Sequence, residues 1–372
     1  AIQALLASGV DPHEILVFCA TPTAATYFKS RLTAACARAD QVVVTTPRQH
    51  AQALLGQREV SEAVGRGNRL LAPFEMDFLM EDLKTSGVRP GRLKEMLRFF
   101  YKSLTELCDW EEEAWLLTGE ENMVWDVLQE CLHAYGAILE PELTNTVARY
   151  LHEHASAQGA YGAAYVFVDD YQLLNRASQV FANELAQESI TIAVNPTLHR
   201  EVFDSYPYAA GIDEFKEANP AAALVELQQS YACSVALHCH DGLTESPFID
   251  ALAFNASCES GHHCEIELFS EPGEECQAVA QRVEAALASG VNADGVVVVS
   301  PHRIWDVNIA KALKQQGISV QTITDGSAVR GDLRDLTRSE VARVLTALFL
   351  VADPGNALAW RVWCGFGDHF AN

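Results

Sequence analysis

The segment YVFVDD, residues 165–170, constrains this chain more than any other. Tyr165 to Val168 are aromatic or β-branched, without polar alternation, as in a strand buried on both faces. Such a strand belongs in a parallel sheet covered by helices. Two aspartates end the run, and ligands of open parallel sheets bind just beyond the carboxyl ends of the strands. There Asp169 can hold Mg²⁺, or its bound waters, beside a nucleotide's phosphates. Asp170 can orient or deprotonate a water. The local alternative is equally physical, since an aspartate after a strand often caps the next helix.

The flanking sequence extends the pattern. A helix tail (1–8) leads to the strand EILVFCA, a helix opened by Thr21-Pro22, the strand QVVVTTP and a helix from Pro47. Strands are predicted over 14–20, 41–46, 164–169 and 189–194, with a helix over 175–187. Residues 58–159 change character. Apolar residues recur at helical spacing in LKEMLRFFYKSLTELC and NMVWDVLQECLHAYG, and no strand stands out. The expected organisation is therefore an α/β domain (1–57 and 160–219) interrupted by an all-helical insertion (58–159). A second α/β unit follows over 220–330, with strands CEIELFS, GVVVVSP and ISVQTIT around two helices. Residues 331–372 turn helical again.

No apolar run reaches the roughly 18 residues of a membrane span. Ten cysteines without a disulfide-framework spacing point to the reducing cytoplasm. The net charge is −24, but residues 1–100 hold 12 of the 26 Lys/Arg and only 10 of the 50 Asp/Glu. Any nucleic-acid surface is therefore expected to be local and to draw on the first hundred residues. The opening AIQALLASGVDP reads as the second half of a helix, and the end WCGFGDHFAN stops without an element. Both suggest a piece of a longer chain.

The ordered set of segments resembles the UvrD/Rep-like DNA helicases of superfamily 1. GVDPHEILVFCATPTAATYFKSRL resembles the stretch around motif Ia, and VVTTPRQHAQALL the block after it. VFVDDYQLLN is similar to motif II, D-E-[FY]-Q-D-x-N, and LQQSYACS to motif IV. EPGEECQAVAQRV, GVVVVSPHR and LKQQGISV resemble the second-domain stretch. The resemblance implies RecA-like, P-loop NTPase-type parallel sheets in two domains, with ATP and Mg²⁺ between them. It implies action on single-stranded or partly duplex DNA in repair or recombination, with repair-complex subunits as possible partners. Asp169, Asp170 and Gln172 would be catalytic, with Asp169 on the metal, and Tyr231 would stack on the adenine. Thr21, Thr46, Pro47, Arg48 and His50 would face DNA. Four of these residues have a plain alternative: a polar helix start for Gln172, a core tyrosine for Tyr231, and an exposed helix start for Arg48 and His50.

Departures from the pattern favour a second reading, an ATPase-inactive helicase-like scaffold or DNA clamp. The glycine-rich lysine loop that cradles phosphates is expected just before Ala1 and does not occur within residues 1–372. Asp170 stands for the family's glutamate, Leu198 for the motif III glutamine and Ala232 for the motif IV arginine. A transition-state arginine contributes several powers of ten to phosphoryl transfer. Ala20 and Thr23 replace a frequent aromatic and lysine.

Other constellations point less sharply. Cys233, His238, Cys239, His240, Cys258, His262, His263 and Cys264 could bind zinc but contain no tight C-x-x-C pair. GRGNR at 65–69 reads as a turn, and the acid-rich DWEEEAWLLTGEEN as a solvated helix and turn. No G-x-S-x-G segment supports a serine hydrolase.

Overall fold

In the computed structural model, described for residues 1–111, 115–195, 206–227, 229–230, 255–256, 267–300, 303–321 and 339–368, the chain is α/β. It falls into two compact units, Ala1–Ala223 with Ala328–Asn372, and Leu224–Ser327.

The first unit is built on four parallel strands: β1 (Ile15–Phe18), β2 (Val43–Thr45), β3 (Ala163–Val168) and β4 (Ala186–Ile192). Their order across the sheet is β2-β1-β3-β4. Ile15 to Phe18 lie in register with Tyr165 to Val168, so strands separated by nearly 150 residues are direct neighbours. β1 is buried along its whole length, as its unbroken apolar run requires. On one face, Leu16, Phe18, Val166 and Val168 pack under α3 (Pro47–Leu55), α9 (Glu140–Glu153) and α11 (Arg176–Leu185). On the other, Ile15, Val17 and Cys19 pack with Ile2, Leu6 and Ala25 of α1 (Ile2–Ala7) and α2 (Pro22–Ala35). This second face thins toward β4: Tyr165 and Phe167 are half-buried, and Ser189 and Thr191 beside them are exposed.

Two Thr-Pro pairs turn the chain from strand to helix at adjacent strand ends. Thr21 Oγ1 accepts from the amide of Ala24 at 3.1 Å, and Thr46 Oγ1 from that of Gln49 at 3.2 Å. The following prolines sit in the first helical turn, where no amide donor is needed. Thr46 is buried and Thr21 exposed. Thr46→Ala is therefore expected to cost about 1–2 kcal/mol and Thr21→Ala nearer 0.5 kcal/mol. Thermal unfolding of the two variants side by side checks the order.

The described residues of 58–161 are helices and their connections, with one isolated bridge between Leu70 and Ile138 among them. A core of Leu79, Leu83, Leu93, Phe100, Leu128 and Leu132 joins α5 (Pro73–Leu83), α6 (Pro90–Thr105) and α8 (Gly119–Ala134). The GRGNR turn is tied into this body. Arg66 donates to Gln129 at 2.7 Å and to Glu142 at 3.3 Å, and Arg69 pairs with buried Glu75. The acid-rich segment is less solvated than expected. Asp109 accepts from Asn145 and Arg149, and Glu121 accepts from the amides of Leu117 and Thr118. The helices Glu340–Ala352 and Ala357–Gly365 pack on this same body: Ala342, Leu358 and Val362 cover Phe74 and Phe78. Arg361 reaches Asp82 at 3.1 Å, and Tyr135 donates to the same carboxylate.

In the second unit, the helices Pro272–Ala288 and Arg303–Gln315 pack through Cys276, Ala280, Ile309 and Leu313. Gln229–Ser230 pairs in parallel with Asn255–Ala256. Of the strands expected here, the described residues 267–269, 296–300 and 318–321 form no ladder, and residues 264–266, 301 and 322–324 lie outside the described residues. A strand exists only through its partners, and Val297 and Val299 are 77% and 86% exposed.

Candidate functional site

The site forms where β1, β3 and β4 end side by side. The Asp169 amide donates to the Phe18 carbonyl at 2.8 Å, carrying the ladder one residue past β3. The chain then breaks. Asp170 adopts left-handed φ 51°, ψ 48°, a conformation aspartate tolerates better than most residues. A short 3₁₀ turn, Tyr171–Leu173, follows, and the Tyr171 amide donates back to Ala193 at 3.0 Å beyond β4. Asp170 occupies the cap position of this turn, yet its side chain accepts no capping amide. Of the two alternatives left by the sequence, capping by Asp170 is therefore not the one realised.

Because side chains alternate along β3, Asp169 falls on the face of Phe167, opposite Val166 and Val168. Both carboxylates are half-buried beside Cys19 at the end of β1. Burial, and then the neighbouring charge of Asp170, raise the Asp169 pKa above the usual carboxylate range; an amide hydrogen bond from Asp170 opposes them. The Cys19 thiol is pushed up to about 12 by burial and by the two aspartates, so it stays a thiol. Two adjacent carboxylates in a partly dry strand end repel each other, and a cation relieves that repulsion.

Gln172 is almost fully buried and bridges the site. Its Nε2 donates to Asp170 Oδ1 at 3.3 Å, and its Oε1 accepts from the Asn195 amide at 3.2 Å. It therefore ties the acidic turn to the chain leaving β4, which a solvated polar helix start would not do. Sequence reading missed Gln179, on the buried face of α11. Its Nε2 lies 3.0, 3.2 and 2.8 Å from the carbonyls of Tyr171, Leu174 and Tyr208. Gly211 gives it room, since a Cβ there would fall 1.7 Å from Gln179 Oε1. A glutamine among the buried positions of an apolar helix face was the available signal.

The residues assigned to a DNA-facing block have other work here. Thr21 and Thr46 cap helices, and Pro47 is buried in the first turn of α3. Arg48 is partly exposed and pairs with Glu140 of α9 at 3.0 Å. His50 is corrected: it is not an exposed helix-start residue. Its ring packs between Phe18, edge-on at 5.5 Å, and Phe181 at 6.0 Å, and its buried Nε2 has no hydrogen-bond partner. Burial lowers its pKa to about 4, so the ring is neutral at physiological pH. Tyr231, Leu198, Ala232 and the cysteines and histidines of 233–264 lie outside the described residues. Among the described residues, no group of three or more His, Cys, Asp or Glu side chains is placed to hold a metal ion. No helix among them is long and apolar enough to cross a membrane.

No family model matches the sequence, and no curated protein matches it.

Proposed function

We propose that this chain is part of a RecA-like, two-domain nucleic-acid motor of the UvrD/Rep type, acting on single-stranded or partly duplex DNA with ATP and Mg²⁺. The observation that carries the reading is the Asp169–Asp170 pair. It stands at the carboxyl end of an inner strand of an all-parallel sheet, with Asp170 unused as a cap. The donor set fits Mg²⁺, which keeps most of its waters and takes one or two carboxylates from the protein. Asp169 would hold the ion or its waters, Asp170 would orient a water, and Gln172 holds Asp170 in place. Mg²⁺ would supply charge neutralisation at the transferring phosphoryl group. Thr21 and Arg48, both exposed, stand just past the ends of β1 and β2 and form the part of the surface offered to DNA; Thr46 and Pro47 are buried, and the His50 ring is packed between Phe18 and Phe181.

The second reading, a helicase-like scaffold without ATP turnover, is favoured by Leu198 and Ala232 at the γ-phosphate positions. It shares the fold and differs in chemistry. The polypeptide of residues 1–372 has no glycine-rich lysine loop, so it is expected to release no phosphate from ATP, with or without single-stranded DNA. Steady-state phosphate release that disappears in Asp169→Ala would overturn that expectation. The same assay on the polypeptide extended upstream separates the readings, since turnover restored by an added phosphate loop marks a motor.

A further inference from the structure

Asp170 holds a left-handed backbone, φ 51° and ψ 48°, where the acidic turn leaves β3. A residue other than glycine stays in that region only when its surroundings over-determine it. Gln172 holds the Asp170 side chain; the backbone is held one residue further on. The Tyr171 amide donates to the Ala193 carbonyl at 3.0 Å. The Tyr171 carbonyl accepts from the Leu174 amide at 3.1 Å, within the turn, and from Gln179 Nε2 at 3.0 Å, from outside it. Gln179 shares its two Nε2 hydrogens among three carbonyls, with Leu174 at 3.2 Å and Tyr208 at 2.8 Å. The Tyr208 amide closes the joint by donating to Leu174 at 2.9 Å. Gln179 is 2% exposed, so water does not replace it. The same joint meets α12 (Gly211–Ala218), whose buried Phe215 packs edge-on against the Tyr171 ring at 5.8 Å.

We propose that Gln179 is a positioning residue for the acidic turn, and that it makes the turn's hold on a divalent cation depend on the seating of α12. This rests on the cation-site reading of Asp169 and Asp170. The Nε2 bonds of Gln179 go to backbone carbonyls, so it acts by fixing the chain that follows Asp170 and thereby the direction of the Asp170 carboxylate. Gly211 is the second half of the device. A Cβ there would fall 1.7 Å from Gln179 Oε1 and 2.7 Å from its Cδ, with Tyr208 Cδ1 next at 3.1 Å. Gly211 opens α12 without a positive φ, so alanine fits its backbone and the conflict is chiefly with the glutamine side chain.

Two NMR readings on the labelled 1–372 polypeptide test this: the Asp170 backbone shifts without metal, and a Mn²⁺ titration followed by broadening of the Asp169 and Asp170 amides. Gln179→Ala is expected to move the Asp170 shifts out of the left-handed range and to weaken Mn²⁺ at the turn about tenfold, the size of loss seen when groups that orient a metal's ligands are removed. Gln179→Met keeps the volume but not the donors and should match it, which separates the lost hydrogen bonds from the cavity. Gly211→Ala should give the same two changes with the glutamine still present. The double variant Gln179→Ala, Gly211→Ala should bind no more weakly than Gln179→Ala alone, because the clash is gone. Circular dichroism verifies that each variant is folded. A brace that is only structural would lower the thermal midpoint while leaving the Asp170 shifts and the Mn²⁺ affinity at wild-type values, and that result would overturn the proposal. So would losses from Gln179→Ala and Gly211→Ala that simply add. A wild type without broadening at the turn would instead remove the cation-site reading, and this proposal with it, whatever the variants do.

Discussion

Phe181→Ala is expected to destabilise the first unit by about 4 kcal/mol, in the range of buried phenylalanine truncations. Phe181 is fully buried beside Phe18, whose ring centroid lies 5.9 Å away, and both rings wall in His50. The same variant should change the acid response. In the native protein the His50 pKa is lowered to about 4 by burial, whereas an unfolded histidine titrates near 6.5. Between those values the unfolded chain binds a proton that the folded chain refuses. Stability from this group is therefore complete above about pH 6.5, declines as pH falls toward 4, and changes no further below it. Over that window the loss is roughly 3 kcal/mol, at about 1.4 kcal/mol per unit of pKa difference. Removing the Phe181 ring lets water reach the imidazole, so the Phe181→Ala variant should be weaker at neutral pH but show a shallower decline between pH 6.5 and 4. Denaturant unfolding at several pH values, with the His50 ring followed by NMR, checks both parts. A His50 pKa near 6.5 in the unmodified protein would contradict them.

Glu142→Ala should be nearly as damaging, by about 3 kcal/mol, because it removes one member of a buried network and strands the others. Glu142 accepts from Arg66 at 3.3 Å, from Gln129 at 3.0 Å and from the Leu139 amide at 2.9 Å at the start of α9. It is 6% exposed, so water does not readily replace it. Without it, the largely buried Arg66 guanidinium keeps only Gln129 and the Ala137 carbonyl. The thermal midpoint is expected to fall by about 6–10 °C. Glu142→Gln keeps an acceptor for the Leu139 amide and should recover part of the loss. Equal midpoints for Glu142→Ala and the wild type would show that the network contributes nothing net.

The parts of the fold legible in the sequence were those written in local chemistry. ILVF, VVT and YVFV are short β-branched or aromatic runs, and each became a parallel strand. The Thr-Pro pairs announced helix starts because a hydroxyl cap and an amide-free first turn are local needs. The expected strand 189–194 instead spans Ala186–Ile192. Ala186, Gln187 and Glu188 have little strand preference and are recruited by pairing with β3, across an irregularity between Ala163 and Tyr165. Val296 to Val299 show the converse, since strong local preference made no strand where no partner lies alongside among the described residues. At the site, the position of Asp169 at a strand end followed from pattern. The burial of His50 and the bracing by Gln179 did not, because both depend on α3 and α11 packing against the same sheet face. A polar residue on an apolar helix face looks alike whether it braces a turn or binds a ligand until the partner carbonyls are in place.

The central claim is that the Asp169–Asp170 turn is a divalent-cation site, and the most direct measurement replaces Mg²⁺ by paramagnetic Mn²⁺ in the labelled 1–372 polypeptide. Line broadening is expected to centre on the amides of Asp169, Asp170 and Cys19, to be competed by excess Mg²⁺, and to vanish in Asp169→Asn. Broadening confined to the acidic residues of the helical body, with the 169–172 turn untouched, would contradict the claim.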